Sequence, residues 1–156
     1  MYQKVMVPLD GSELAECVLP HVESLIKSGQ AKQVVLVRVA ESYDSLSWGQ
    51  ASAYMGDEEK KNFDVSHQKV AREYLDHIAS RLASGGAPVE KMVLAGRASE
   101  ELSDYAKKNK VDLVVISTHG RSGVSRWVMG SVADRLLRST SAPVLMVRAP
   151  GCIPGM

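Results

Sequence analysis

The sequence predicts an α/β domain: an open, doubly wound parallel sheet of five strands in the order 3-2-1-4-5, with about four helices. Three observations predict it. Five short apolar runs alternate with stretches of helical periodicity, the pattern of a parallel sheet joined by right-handed crossovers. The runs are continuously apolar rather than alternating, as strands covered on both faces are. Capping and closing residues bracket the helical stretches, among them Ser12, Gly29 and the pair Gly85-Gly86.

The elements follow in order. Val5-Met6-Val7 is the first strand. Ser12 caps a helix whose Leu14, Val18, Val22, Leu25 and Ile26 recur at helical spacing, and Gly29 closes it. Pro20 falls inside this helix and is expected to kink it by removing a backbone donor. Val34 to Val37, with Val39, is the second strand. The polar stretch Ser42 to Asp57 carries Tyr43, Trp48 and Tyr54 and reads as a loop, placed to act as a lid. A long helix is expected from about Glu58 to Ala83, with Phe63, Val70, Tyr74, Ile78 and Leu82 along one side. Met92 to Ala95 is the third strand, and a helix from near Ser99 turns Leu102, Tyr105 and Ala106 inward. Leu113 to Ile116 is the fourth strand. After Gly130-Ser131 a last helix turns Val132, Leu136 and Leu137 inward, and Val144 to Val147 is the fifth strand. Residues 1–148 thus make one domain, and the Gly- and Pro-bearing tail 149–156 is expected to be flexible.

Composition narrows the function. The chain has 156 residues, 45% of them apolar and 24% charged, which suits one globular domain rather than a disordered chain. A net charge of +1 argues against a dedicated nucleic-acid surface. No apolar run approaches the roughly 18 residues of a spanning helix, so no membrane partner is expected. The N-terminus runs straight into the first strand without a signal-like apolar stretch, and the expected location is the cytoplasm. Cys17 and Cys152 make neither a disulfide framework nor a metal site.

In a doubly wound sheet the ligand crevice lies outside the carboxyl ends of the strands, where strand order reverses. Here that point falls between the first and fourth strands. Two turns meet there: Pro8-Leu9-Asp10-Gly11-Ser12, and the stretch from Ser117 to Val132. The second has the ingredients of an anion cradle. Gly120, Gly123 and Gly130 let backbone approach a ligand. Gly130-Ser131 opens a helix whose free N–H groups and dipole favour an anion. Ser117, Thr118, Ser122 and Ser131 add hydroxyls, and Arg121 and Arg126 add charge. It is not a P-loop, because the lysine is missing. Nor is it a nucleophile elbow, since in Gly120-Arg121-Ser122-Gly123 the last glycine comes one place early.

Asp10 admits several readings. A carboxylate at a strand end can bind ribose hydroxyls, a base or a metal, or it can close an Asx-turn over Gly11 and Ser12. Opposite a phosphate cradle it is a poor phosphate ligand, because like charges repel. His119 can donate to a phosphate, act as a base, or simply shape the turn. His21, His67 and His77 fall on helices without partners at ligand spacing. Trp48 and Trp127 read as packing residues.

At these residues the chain resembles the universal stress protein family. The resemblance runs from Lys4-Val5-Met6-Val7-Pro8-Leu9-Asp10-Gly11-Ser12, through Asp112 to Gly123, to Gly130-Ser131-Val132-Ala133 and Ser141 to Val147. The ATP-binding branch of that family carries Gly, two residues, Gly, nine residues, Gly, then Ser or Thr. Gly120, the nine residues Arg121 to Met129, and Gly130-Ser131 match, while Ser117 replaces the first glycine.

The resemblance implies a Rossmann-like fold and an ATP, ADP or AMP site with a regulatory or stress-response role. It places Pro8, Leu9 and Asp10 at the adenine and ribose, with Ser12 in the same turn. Val39 would offer its backbone to the adenine and Gly96 would line the base. Ser117 and Gly120 would lie against ribose and phosphates. His119 stands within the cradle. Arg121, Ser122, Gly130, Ser131 and Val132 would hold the phosphates, with Mg2+ or Mn2+ accompanying a triphosphate. The resemblance also implies a homodimer through the last strand, Val144 to Val147. Two alternatives remain: a slow ATPase or nucleotidyl-transfer enzyme using His119 or Asp10, and a dimeric interaction module with an empty pocket. No catalytic residue is assigned.

Overall fold

A computed structural model of the chain describes residues 1–40, 42, 56–118 and 131–148. The elements are β1 (Val5–Pro8), α1 (Glu13–Glu16), α2 (Leu19–Lys27), β2 (Val34–Ala40), α3 (Asp57–Leu82), β3 (Val89–Ala95), α4 (Ala98–Lys108), β4 (Leu113–Ser117), α5 (Ser131–Ser139) and β5 (Val144–Val147). The sheet order is β3-β2-β1-β4-β5 and every ladder is parallel, as expected. All five strands therefore end at one edge of the sheet.

Alternation along the strands builds two apolar layers. Val5, Val7, Val34, Leu36 and Val115 face Val18, at the cap of α2, Val22 of α2, and Leu75 and Ile78 of α3. Met6, Val35, Val37, Val114 and Ile116 face Leu102, Ala106 and Leu136 of α4 and α5. The inner strands β1 and β4 are buried throughout. The outer strands are not covered on both faces: Glu90, Lys91 and Met92 are exposed on β3, and Leu145 on β5. β3 also starts three residues before Met92, because its polar first half pairs with β2 from Val34↔Val89 onward.

The first helical stretch is divided rather than kinked. Ser12 caps α1 by accepting from the Ala15 N–H, but α1 stops at Glu16. α2 then begins with Pro20 in its first turn, where a missing N–H has no intrahelical acceptor to lose. α3 lies where periodicity put it. Its inward residues are Ala71, Leu75, Ile78 and Leu82, with Tyr74 half-buried and Val70 55% exposed. Each residue turns the helix by about 100°, so Ala71 takes the inward place and Val70 falls on the flank. The same step separates Leu136, fully buried on α5, from Leu137, which is 47% exposed. Ala133 is buried and Val132 half-buried on the same helix.

α4 ends in a Schellman motif. The Val111 N–H donates to Ala106 O at 3.0 Å and the Lys110 N–H to Lys107 O at 3.4 Å. Lys110 holds the left-handed position with φ 52°, where glycine is usual. The histidines at 21, 67 and 77 are exposed, and His67 stacks on Phe63. Cys17 is a free thiol. Among the described residues no helix is long and apolar enough to cross a membrane. Most of the Ser42 to Asp57 loop, Trp127, Cys152 and the tail lie outside the described residues.

Candidate functional site

β1 and β2 stay paired to the end of β1, at Pro8↔Val37. The ladder between β1 and β4 stops earlier, at Met6↔Val114. Proline explains the difference. The N–H groups of Val5 and Leu9 donate toward β2, to Gln33 O and Val37 O, each at 2.9 Å. By alternation the nitrogen of Pro8 faces β4, and it has no hydrogen to give. β4 meanwhile runs on beside β5 as far as Ser117↔Val147. The sheet thus opens between β1 and β4 at its carboxyl edge, at the reversal of strand order.

The turn after β1 is held by its own side chains. Asp10 Oδ1 accepts from the Ser12 backbone N–H at 2.9 Å and from Ser12 Oγ at 2.6 Å. Ser12 Oγ in turn accepts from the Ala15 N–H at 3.2 Å. This is the Asx-turn foreseen as one role of Asp10. Gly11 between them has φ +88°, a conformation that favours glycine. Asp10 and Ser12 are both half-buried, while Pro8 and Leu9 beneath them are buried.

The other strand ends complete the edge. Val39 is half-buried on β2 and pairs with Leu94. Gly96 follows β3 with φ +136°, and a Cβ there would stand 2.9 Å from Glu101 Oε1. Ser117 ends β4 and is 7% exposed. α5 leads from this edge back to the start of β5, so its first residues, Ser131 and Val132, lie on the carboxyl side. Glu100 in the first turn of α4 stands 3.9 Å from Arg97 and from Arg135 in the middle of α5. Of the sequence-derived candidates, Pro8, Leu9, Asp10, Ser12, Val39, Gly96, Ser117, Ser131 and Val132 therefore share one edge. His119, Gly120, Arg121, Ser122 and Gly130 lie outside the described residues.

One group at this edge was not singled out from the sequence. Arg38 is the only charged residue of β2, in Val-Val-Leu-Val-Arg-Val-Ala. Its guanidinium carbon sits 4.9 Å from the centre of the Tyr74 ring. The Tyr74 hydroxyl donates to Glu16 Oε1 at 3.2 Å, and Arg81 donates to Glu16 Oε2 at 2.8 Å. Burial, and then the Glu16 carboxylate, push the Tyr74 phenol well above its ordinary range; Asp10 adds to this and Arg38 opposes it. A cation inside an apolar strand was the signal that could have found this cluster.

Two open clefts of about 430 and 380 Å³ lie elsewhere, between α3 and the first half of β3, and share the ion-paired Asp76 and Lys91. They are on the flank of the sheet, not at its carboxyl edge. Among the described residues no cluster of three or more His, Cys, Asp or Glu could hold a metal.

Universal stress protein MJ0577 of Methanocaldococcus jannaschii is 28% identical over 95% of this chain and 96% of its own. Its solved structure superposes with a TM-score of 0.82 at 26% identity, again over 95% and 96% of the two chains. A universal stress protein solved in complex with cAMP shares the fold at TM-score 0.62 and 22% identity, over 95% of this chain and 98% of its own. A universal stress protein family protein from Arabidopsis thaliana, solved with AMP bound, does so at 0.66 and 16%, over 96% and 93%. The universal stress protein family matches residues 1–148, and the chain belongs to that family.

Proposed function

We propose that the chain binds an adenine nucleotide, ATP or its ADP and AMP relatives, at the carboxyl edge between β1 and β4, and does so in a regulatory or stress-response role. One observation carries this reading. The Pro8-ended ladder opens the sheet where strand order reverses, with the Asp10 turn and Ser117 at the ends of the two strands that part and Gly96 further along the same edge. Pro8, Leu9 and Asp10 would border adenine and ribose, with Ser12 holding the turn. Val39 would offer backbone groups to the base, and Gly96 would leave room beside it. Ser117, His119 and Gly120 would lie along ribose and phosphates. Arg121, Ser122, Gly130, Ser131 and Val132 would hold the phosphates, through N–H groups at the start of α5 and through charge. The two fold relatives solved with cAMP and AMP suit this choice of ligand.

A divalent ion, Mg2+ or Mn2+, would travel with the triphosphate. Asp10 is the one candidate carboxylate in the β1 turn, and Mg2+ is commonly bound by phosphates with one or two carboxylates. The domain would comprise residues 1–148, acting in the cytoplasm. The half-exposed apolar strand β5 would pair with a second copy, covering an edge that otherwise invites aggregation.

Gly130→Val tests the phosphate end. Isothermal titration with ATP should show binding to the parent chain and none to the variant, with far-UV circular dichroism unchanged. Equal affinity in a folded variant would refute the cradle.

A further inference from the structure

We infer that Arg38 is a positioning residue of the proposed site, clamping the Asp10–Gly11–Ser12 turn from the α2 and α3 side so that the Asp10 carboxylate is presented to the ribose. The inference rests on the nucleotide reading and goes beyond it by adding a residue that does not itself touch the ligand.

Arg38 lies on the face of β2 that carries Val34 and Leu36, toward α2 and α3. Val39, the residue proposed to border the adenine, points to the opposite layer. Arg38 therefore reaches the turn from the α2 and α3 side of the sheet. A Cβ built on Gly11 would stand 2.9 Å from Nη2, 3.0 Å from Cζ and 3.1 Å from Nη1 of Arg38. Three such similar distances mean that the guanidinium turns its face to the space a Gly11 side chain would fill. It also sits over the Tyr74 ring, 4.9 Å from its centre, within cation–π range. The guanidinium is held between a backbone turn and an aromatic face.

The contacts close into a ring. Asp10 holds Ser12, Ser12 caps α1, and α1 carries Glu16. Glu16 accepts from Tyr74 and from Arg81 of α3, and Tyr74 supports Arg38, which presses on Gly11. The turn is thus gripped from both ends. An apolar side chain would continue β2 at lower desolvation cost. Arginine instead sets a planar cation one residue from Asp10, and the planar fork loses little freedom when it is stacked. Gly11 fits both demands: it accepts φ +88°, and it leaves space for the guanidinium.

The test compares ATP with 2′-deoxy- and 3′-deoxy-ATP by isothermal titration. The parent chain should prefer ATP by about tenfold, the scale of one hydrogen bond to a charged group. Arg38→Met keeps the stem and removes the fork. It should erase most of that preference while affinity for the deoxy nucleotides holds within about twofold, a change well below one hydrogen bond. Asp10→Asn should also erase the preference, and adding Arg38→Met to it should change nothing further. Tyr74→Phe keeps the aromatic face under Arg38, and Arg81 still ties Glu16 to α3, so the preference should stay; Tyr74→Leu should lose it, which preserves the test if Arg38→Met fails to fold. A folded Arg38→Met that retains the parent preference overturns the inference and leaves the nucleotide reading standing. Equal affinity of the parent for ATP and both deoxy forms overturns the role of Asp10, and this inference with it. A parent that binds none of the three overturns both readings.

Discussion

Replacing Asp10 by alanine removes the acceptor on which the β1 turn is built. Two bonds are lost, from the Ser12 N–H at 2.9 Å and from Ser12 Oγ at 2.6 Å. Bonds to a charged group contribute about 1.5–3 kcal/mol in buried settings. Asp10 is half-buried, so water replaces part of the loss, and about 1–2 kcal/mol for the pair is the reasonable scale. Ser12→Ala removes the same Oγ bond together with the α1 cap, about 1 kcal/mol. Because the two substitutions share one bond, the double variant should cost less than the sum of the singles by about 0.5 kcal/mol or more. Asp10→Asn keeps an oxygen at the Oδ1 position and should stay within about 0.5 kcal/mol of the parent, as a change that preserves the acceptor does. Urea unfolding of the four variants, without nucleotide, measures all of this. Asp10→Asn as damaging as Asp10→Ala would show that charge, not the acceptor, holds the turn. Strict additivity of Asp10→Ala and Ser12→Ala would show that the Asp10–Ser12 bond carries nothing.

Other outcomes follow from the same structure. Leu75→Ala, at a site with no exposure between α3 and the sheet, should cost about 2–5 kcal/mol in urea unfolding. Lys110→Gly relieves a left-handed lysine at a helix end, a strain of about 1–2 kcal/mol partly offset by unfolded-chain entropy; a net gain in thermal stability is expected, and a loss would contradict the motif. Tyr74 and Tyr105 have phenols raised in the folded state, chiefly by burial, above an ordinary value of 10.0. The folded chain then holds protons that the unfolded chain has released, so this stability is complete below pH 10.0 and declines as pH rises beyond it. Tyr74→Phe should flatten that alkaline decline in unfolding titrations, and an unchanged slope would count against the half-buried Tyr74–Glu16 contact.

The framework was legible because its inner strands are short, wholly apolar and bounded by turn residues. Leu113 to Ile116, four residues rich in β-branched side chains between Asp112 and Ser117, has the length and composition of a buried parallel strand. The outer strands were harder. β3 begins at Val89 because backbone pairing with β2 carries it through Glu90 and Lys91, whose side chains give no apolar signal. Helix phase was readable to within one residue, which is not enough to separate Val70 from Ala71 or Leu136 from Leu137. The expected kink at Pro20 is instead a restart, because a proline in a first turn loses no intrahelical bond. At the site, turn chemistry identified Asp10 and Ser12. It could not show that Asp10 spends Oδ1 on Ser12, since both roles use the same carboxylate. Arg38 carries no turn signal, being a cation inside a strand, and the Tyr74 ring it stacks on is distant in sequence.

Native mass spectrometry of freshly purified chain, followed by titration with ATP, ADP, AMP and cAMP, tests the central claim most directly. One adenine nucleotide per chain, carried from the cell or taken up on addition, is the expected result. A chain that emerges empty and stays empty at millimolar nucleotide would contradict it.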